Sequence, residues 1–124
     1  MLWKIIWYNN ITNIPYRGEE MYNKDRIRSL TNQIVQKYNP IDIFLFGSNA
    51  KGLVRKNSDI DLCVIMNTDN KRKTIQDMLY SLDYDVDLDI VIYTEEEWEK
   101  YRNDLSTFAG IIYKTGVSLL GRYN

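Results

Sequence analysis

The stretch IDIFLFGSNAKGLVRKNSDIDLCVIM, residues 41–66, holds two apolar runs rich in β-branched and aromatic side chains. Ile41–Phe46 is bounded by Pro40 and Gly47, and Asp59–Met66 follows the polar segment between them, so the pattern predicts strand, loop, strand. Asp59 and Asp61 stand two apart on the second run. On a strand their side chains leave the same face, close enough to share a cation. Like charges at that range repel unless something neutralises them. A hard divalent ion such as Mg²⁺ takes oxygen ligands and keeps part of its shell for water and phosphates, which suits two carboxylates at a strand edge. The same spacing also fits a solvated strand end, so the pair needs support from elsewhere in the chain.

Three features supply it. Gly47-Ser48 follows an apolar strand directly, and a glycine turn exposes backbone N–H groups that, with a serine hydroxyl, hold phosphate oxygens; on its own it is also a tight turn. Lys51, Arg55 and Lys56 lie in the connecting segment, as phosphate contacts, as screens for the aspartates or as solvated loop charges. In VDLDIVIY, residues 86–93, a third strand is predicted, preceded by Asp85 and carrying Asp87 and Asp89. Asp89 opens the apolar run IVIY and is expected to enter the buried half of the sheet, where an unpartnered carboxylate is costly. A metal shared with Asp59 and Asp61 resolves that cost, with Asp87, on the same face, in reserve.

Outward from this centre, Ile27, Leu30, Ile34, Val35 and Tyr38 recur at helical spacing after Asn23, the expected N-cap, and Asn39-Pro40 ends the helix. Asn67 to Asn70 turns the chain into a helix marked by Ile75, Met78, Leu79 and Leu82, with Lys71, Arg72 and Lys73 as a solvated first turn. Thr94 and Glu97 have capping-box spacing for a helix to about Arg102. Phe108, Ile111 and Ile112 fit another helix, with Gly116 at its end and VSLL as a terminal strand. The order α-β-β-α-β-α-α-β predicts an α+β fold, helices packed on a small mixed sheet. Trp98 and Tyr101 are candidates either for the core or for the lining of a cleft.

At 124 residues with 44% hydrophobic content, one domain is expected, spanning residues 21–124. Residues 1–20 carry Trp3 and Trp7 without a sustained period. They read either as an arm or as translated sequence upstream of a true start at Met21, since Arg17-Gly18-Glu19-Glu20 is encodable by a purine-rich tract resembling a ribosome-binding site. A formal net charge of -1 argues against strong nucleic-acid binding. With no histidine, imidazole bases and His-ligated zinc are excluded, so acid-base or metal chemistry falls to carboxylates. The single cysteine, Cys63, reads as a small buried hydrophobe. No apolar run approaches the roughly 20 residues that cross a bilayer, and a cytoplasmic protein is expected.

Gly47-Ser48, ten residues, then Asp59-Ile60-Asp61, with Asp89 on a later strand, resembles the signature of DNA polymerase β-like nucleotidyltransferases, closest to the minimal ones. The likeness covers about residues 22 to 120; Lys51 stands where an arginine is commoner, which keeps the charge and loses bidentate geometry. The resemblance implies that Asp59 and Asp61 hold two Mg²⁺ ions, with Asp89 as the third carboxylate beside the acceptor hydroxyl. It implies that Gly47 and Ser48, aided by Lys51 and Arg55, bind the phosphates of a nucleoside triphosphate such as ATP. It further implies an antitoxin that transfers AMP to a tyrosine of a HEPN-type RNase toxin encoded next door. Two alternatives stand beside it. One is a homodimeric nucleotidyltransferase for a small molecule such as an aminoglycoside; the other is a non-catalytic module that binds a partner protein.

Overall fold

The computed structural model describes residues 21–50 and 59–123. Residues 1–20, and Lys51, Arg55 and Lys56 in the connecting segment, lie outside them, as does any break at Met21. Helix α1, Met21–Tyr38, leads into β1, Asp42–Phe46. Strand β2, Ile60–Ile65, helix α2, Lys71–Ser81, and β3, Leu88–Tyr93, form a crossover unit. Helices α3, Glu95–Tyr101, and α4, Phe108–Thr115, then precede the two-residue strand β4, Val117–Ser118. The sheet order is β3-β2-β1-β4, with β2 and β3 parallel and both pairings of β1 antiparallel. The α+β architecture follows the predicted order, although the expected terminal strand VSLL pairs over Val117 and Ser118 alone.

Strand alternation sorts the core into two layers. Ile43, Leu45, Ile60, Leu62, Val64, Ile90 and Ile92 turn to one face, where Ile27, Leu30 and Ile34 of α1 and Met78 of α2 cover them. Phe44, Cys63 and Ile65 turn to the other, under Trp98 of α3 and Ala109 and Ile112 of α4. Trp98 is not a cleft residue: it is fully buried, its ring 5.1 Å from Phe44 and 5.7 Å from Tyr93. Cys63 is buried as expected.

Local signals explain most of the ends. Asn70 caps α2 by accepting from the Lys73 N–H, and the Thr94–Glu97 capping box is present in full at α3. Lys71 leaves its solvated turn to meet both carboxylate oxygens of Glu97, at 2.9 and 2.8 Å, tying α2 to α3. Asn39, at φ 47°, stops α1. The start of α1 corrects the sequence expectation, because the helix already runs from Met21 and Asn23 lies within it, fully buried.

Among the described residues the buried carboxylate is Asp42, not Asp89. Asp89 sits on the edge strand and is exposed, whereas Asp42 is completely enclosed. It accepts from Ser118 Oγ at 2.7 Å and from the backbone N–H groups of Ile43, Leu120 and Tyr123 at 2.8 to 3.1 Å. Burial raises its carboxyl above the ordinary range, against these four bonds. Together they fasten the last stretch of chain to β1. Replacing Asp42 by Ala strands those donors and should cost about 3 kcal/mol in urea unfolding. A loss below about 1 kcal/mol would show that water replaces the carboxylate.

Candidate active site

The pairing of β2 with β3 sets Asp61 directly opposite Asp89, and that of β1 with β2 sets Phe46 opposite Asp61. Alternation then puts Phe46, Asp61 and Asp89 in a row across three strands, on the face that carries Phe44 and Cys63 further along. The row lies at the end of the sheet where β1 stops and β2 and β3 begin. Burial pushes the half-buried Asp61 carboxyl up to about 6 from 3.8. A hydrogen bond shared with the Asp89 carboxyl and the charges of Asp89 and Asp59 add to that rise. Two carboxylates are thus held where one of them resists ionising.

Gly47 closes the site against Asp61. Its φ of +73° is one that side chains rarely adopt, and a Cβ built there would stand 2.2 Å from Asp61 Oδ2. Glycine is required both by the turn and by the carboxylate it touches. Ser48 follows, half-buried, at the same end of the sheet.

A polar strut holds the turn in place. Asn49, 2% exposed, donates from Nδ2 to the Asp59 carbonyl at 2.7 Å, and its Oδ1 accepts from Asn23 Nδ2 at 3.1 Å. Arg26 donates to Asn23 Oδ1 and grips Asp85 through Nε and Nη2, at 2.7 and 3.1 Å. Helix α1 therefore sets the approach of residue 49 to residue 59, and with it the distance from the Gly47 turn to β2. Neither asparagine was a sequence-predicted site residue. The available signal was that Asn23 stands four residues before Ile27, a polar group on the apolar stripe of the helix.

The remaining predicted residues separate. Asp59 precedes β2 and is exposed, acting on Asp61 through its charge. Asp87 lies just ahead of β3, where its carbonyl accepts the Ile60 N–H at 2.9 Å, and Asp85 is taken by Arg26. Among the described residues no three acidic side chains converge as a ligand cluster: Asp61 and Asp89 are opposed in register, and the expected third member, Asp59, stands outside β2 and reaches Asp61 only through its charge. The donor set fits a hard divalent cation: two carboxyl groups opposed in register, and a backbone turn without a Cβ against one of their oxygens.

Two predictions follow from this geometry. The folded state holds the Asp61 proton more tightly than the unfolded chain does. The group therefore favours folding below about pH 4, and that contribution is lost as the pH rises through about 6. In chelator, Asp61→Asn should exceed the wild type in stability by about 1 kcal/mol above pH 6, a figure discounted for partial exposure. That difference should shrink below pH 4 in paired urea titrations; equal differences at both ends would refute the repulsion. Removing the strut with Asn49→Ala should cost about 1–2 kcal/mol by the same measurement, and Asn23→Ala a similar amount, with the double variant less than additive.

Residues 27–108, about two thirds of the chain, match the nucleotidyltransferase domain family. Neither the curated proteins nor the solved structures compared with the chain yield a match. The matched span contains the Gly47 turn, β2 and β3, the elements that build the carboxylate row. The chain therefore belongs to the nucleotidyltransferase domain family, within the DNA polymerase β-like superfamily.

Proposed function

We propose that this protein transfers AMP from ATP to a hydroxyl group, the hydroxyl oxygen bonding to the α-phosphorus as the bond from that phosphorus to the β-phosphate breaks and pyrophosphate leaves, most specifically to a tyrosine of a HEPN-type toxin encoded beside it, and so acts as an antitoxin. The observation that carries the transfer is the in-register Asp61–Asp89 pair with Gly47 packed on it. The choice of AMP and of the toxin tyrosine is supported by the likeness of the Gly-Ser and Asp-x-Asp spacing to minimal nucleotidyltransferases.

In this reading each residue has a distinct task. Asp61 and Asp89 hold the cation site, and Asp59 adds negative charge at its mouth. Bound Mg²⁺ neutralises charge on the phosphoryl oxygens and lowers the pKa of the acceptor hydroxyl. Gly47 and Ser48 offer a backbone N–H and a hydroxyl to the terminal phosphates on the β1 side. Lys51 and Arg55 complete the phosphate contacts by charge. Asp89 stands on the edge strand β3, the open side of the pair, where the acceptor hydroxyl would approach.

Incubation with ATP labelled at the α-phosphate, Mg²⁺ and the neighbouring gene product should label that partner. Asp61→Asn and Asp89→Asn should each lower the rate by roughly 10²–10³-fold, as removal of a preorganised electrostatic group does. Absence of label, with wild type and Asp61→Asn neutralising the partner equally, would identify a non-catalytic binding module instead. Label appearing on an added aminoglycoside but not on protein would redirect the acceptor to a small molecule.

A further inference from the structure

Among the described residues, a run of large apolar side chains is uncovered between the end of α3 and the end of α4. Tyr101, Leu105, Phe108 and Ile111 are 36%, 54%, 50% and 48% exposed, within the short span from the end of α3 through α4. Phe108 meets Phe46 edge to face, ring centroids 5.6 Å apart at 87°. Phe46 in turn stands opposite Asp61 in the β1–β2 register and precedes Gly47. The aromatic pair therefore begins one cross-strand neighbour from the reaction centre, on the same face as the two carboxylates.

We infer that Phe46 and Phe108 form the platform on which the purine base of the nucleoside triphosphate stacks. The inference rests on the nucleotidyl-transfer reading of the site and adds the part of the substrate which that reading leaves unplaced. A triphosphate held at Gly47, Ser48 and the Asp61–Asp89 pair carries its base on a short covalent tether, so the base falls within one nucleoside's length of the carboxylates. The surface available there combines a half-exposed ring with an edge-on second ring that braces it. Flat π-faces of this kind hold bases by stacking, with little discrimination between bases of equal size. Leu105 and Ile111 carry no ring on which a base could stack. The platform predicts a preference for purine over pyrimidine triphosphates and similar affinity for ATP and GTP, because stacking reads the face of a base and not its hydrogen-bonding edge.

Calorimetric titration of the full chain tests this, in Mg²⁺, with two probes: a non-transferable α,β-methylene analogue of ATP, and inorganic tripolyphosphate for the phosphate subsite alone. Phe108→Ala should weaken the analogue by roughly tenfold and leave tripolyphosphate unchanged, and Phe108→Tyr should restore wild-type affinity. Because Phe108 is half exposed, the fold should survive its truncation, which circular dichroism checks. Analogue affinity within about twofold of wild type in Phe108→Ala would overturn the platform, as would equal weakening of both probes. Unchanged nucleotide affinity with a smaller sedimenting species would assign the same surface to a protein interface and overturn it too. If the wild type binds neither probe, the nucleotidyl-transfer reading itself fails. Binding of tripolyphosphate with indifference to Phe108 sinks the platform alone.

Discussion

Two carboxyl groups are held side by side by strands whose register is fixed by the apolar core, and the candidate site depends on that constraint. Asp61 and Asp89 meet because β2 and β3 pair in parallel with a fixed register. The register is set by their neighbours: Ile60, Leu62 and Val64, with Ile90 and Ile92, are buried in the layer under α1 and α2. A slip of one residue would turn that apolar set toward the opposite face, so burial of the aliphatic side chains keeps the carboxylates opposed. Stability from the core thus offsets a local repulsion that a cation can relieve, a common relation between a scaffold and its active site.

Polar groups inside the protein serve the same end. The Asn23–Asn49 bond carries the position of α1 to the Asp59 carbonyl, so a buried amide pair sets how closely the glycine turn approaches β2. At the other end of β1, Asp42 gathers four donors and fixes the chain that includes β4. β1 is therefore pinned at both ends, and its exit into Gly47 is placed against Asp61 with no room for a Cβ. Preorganisation of this kind matters most for a centre whose work is to position phosphates and ions.

Much of this was legible in the sequence because the signals are local. Short apolar runs rich in β-branched and aromatic residues located β1, β2 and β3, the Thr94–Glu97 spacing located α3, and Gly47-Ser48 with Asp59-Ile60-Asp61 pointed to the candidate site. What the sequence hid are interactions between distant residues. Asn23 looks like an N-cap until Asn49, 26 residues away, is seen to receive its amide. Asp42 looks like an ordinary strand-edge charge, since the groups that bury it lie 76 to 81 residues further along. Asp89 was expected to be buried because an apolar run follows it, but β3 is an edge strand, where alternate side chains remain open. Trp98 sits among charged residues in sequence, yet the helix turns it into a cage of Phe44, Tyr93 and Tyr113. Lys51 and Arg55 lie outside the described residues, and their roles rest on the motif.

The central claim is that the Asp61–Asp89 pair is a divalent-cation site serving nucleotidyl transfer. The most direct measurement is titration of the full chain with Mn²⁺ in the presence of ATP, followed through paramagnetic broadening of backbone amide resonances. The geometry predicts that Gly47, Asp61 and Asp89 broaden first and together, and that Asp61→Asn abolishes the effect. Broadening centred elsewhere, such as the acidic turn at Asp83 and Asp85, with these three signals left sharp, would contradict it.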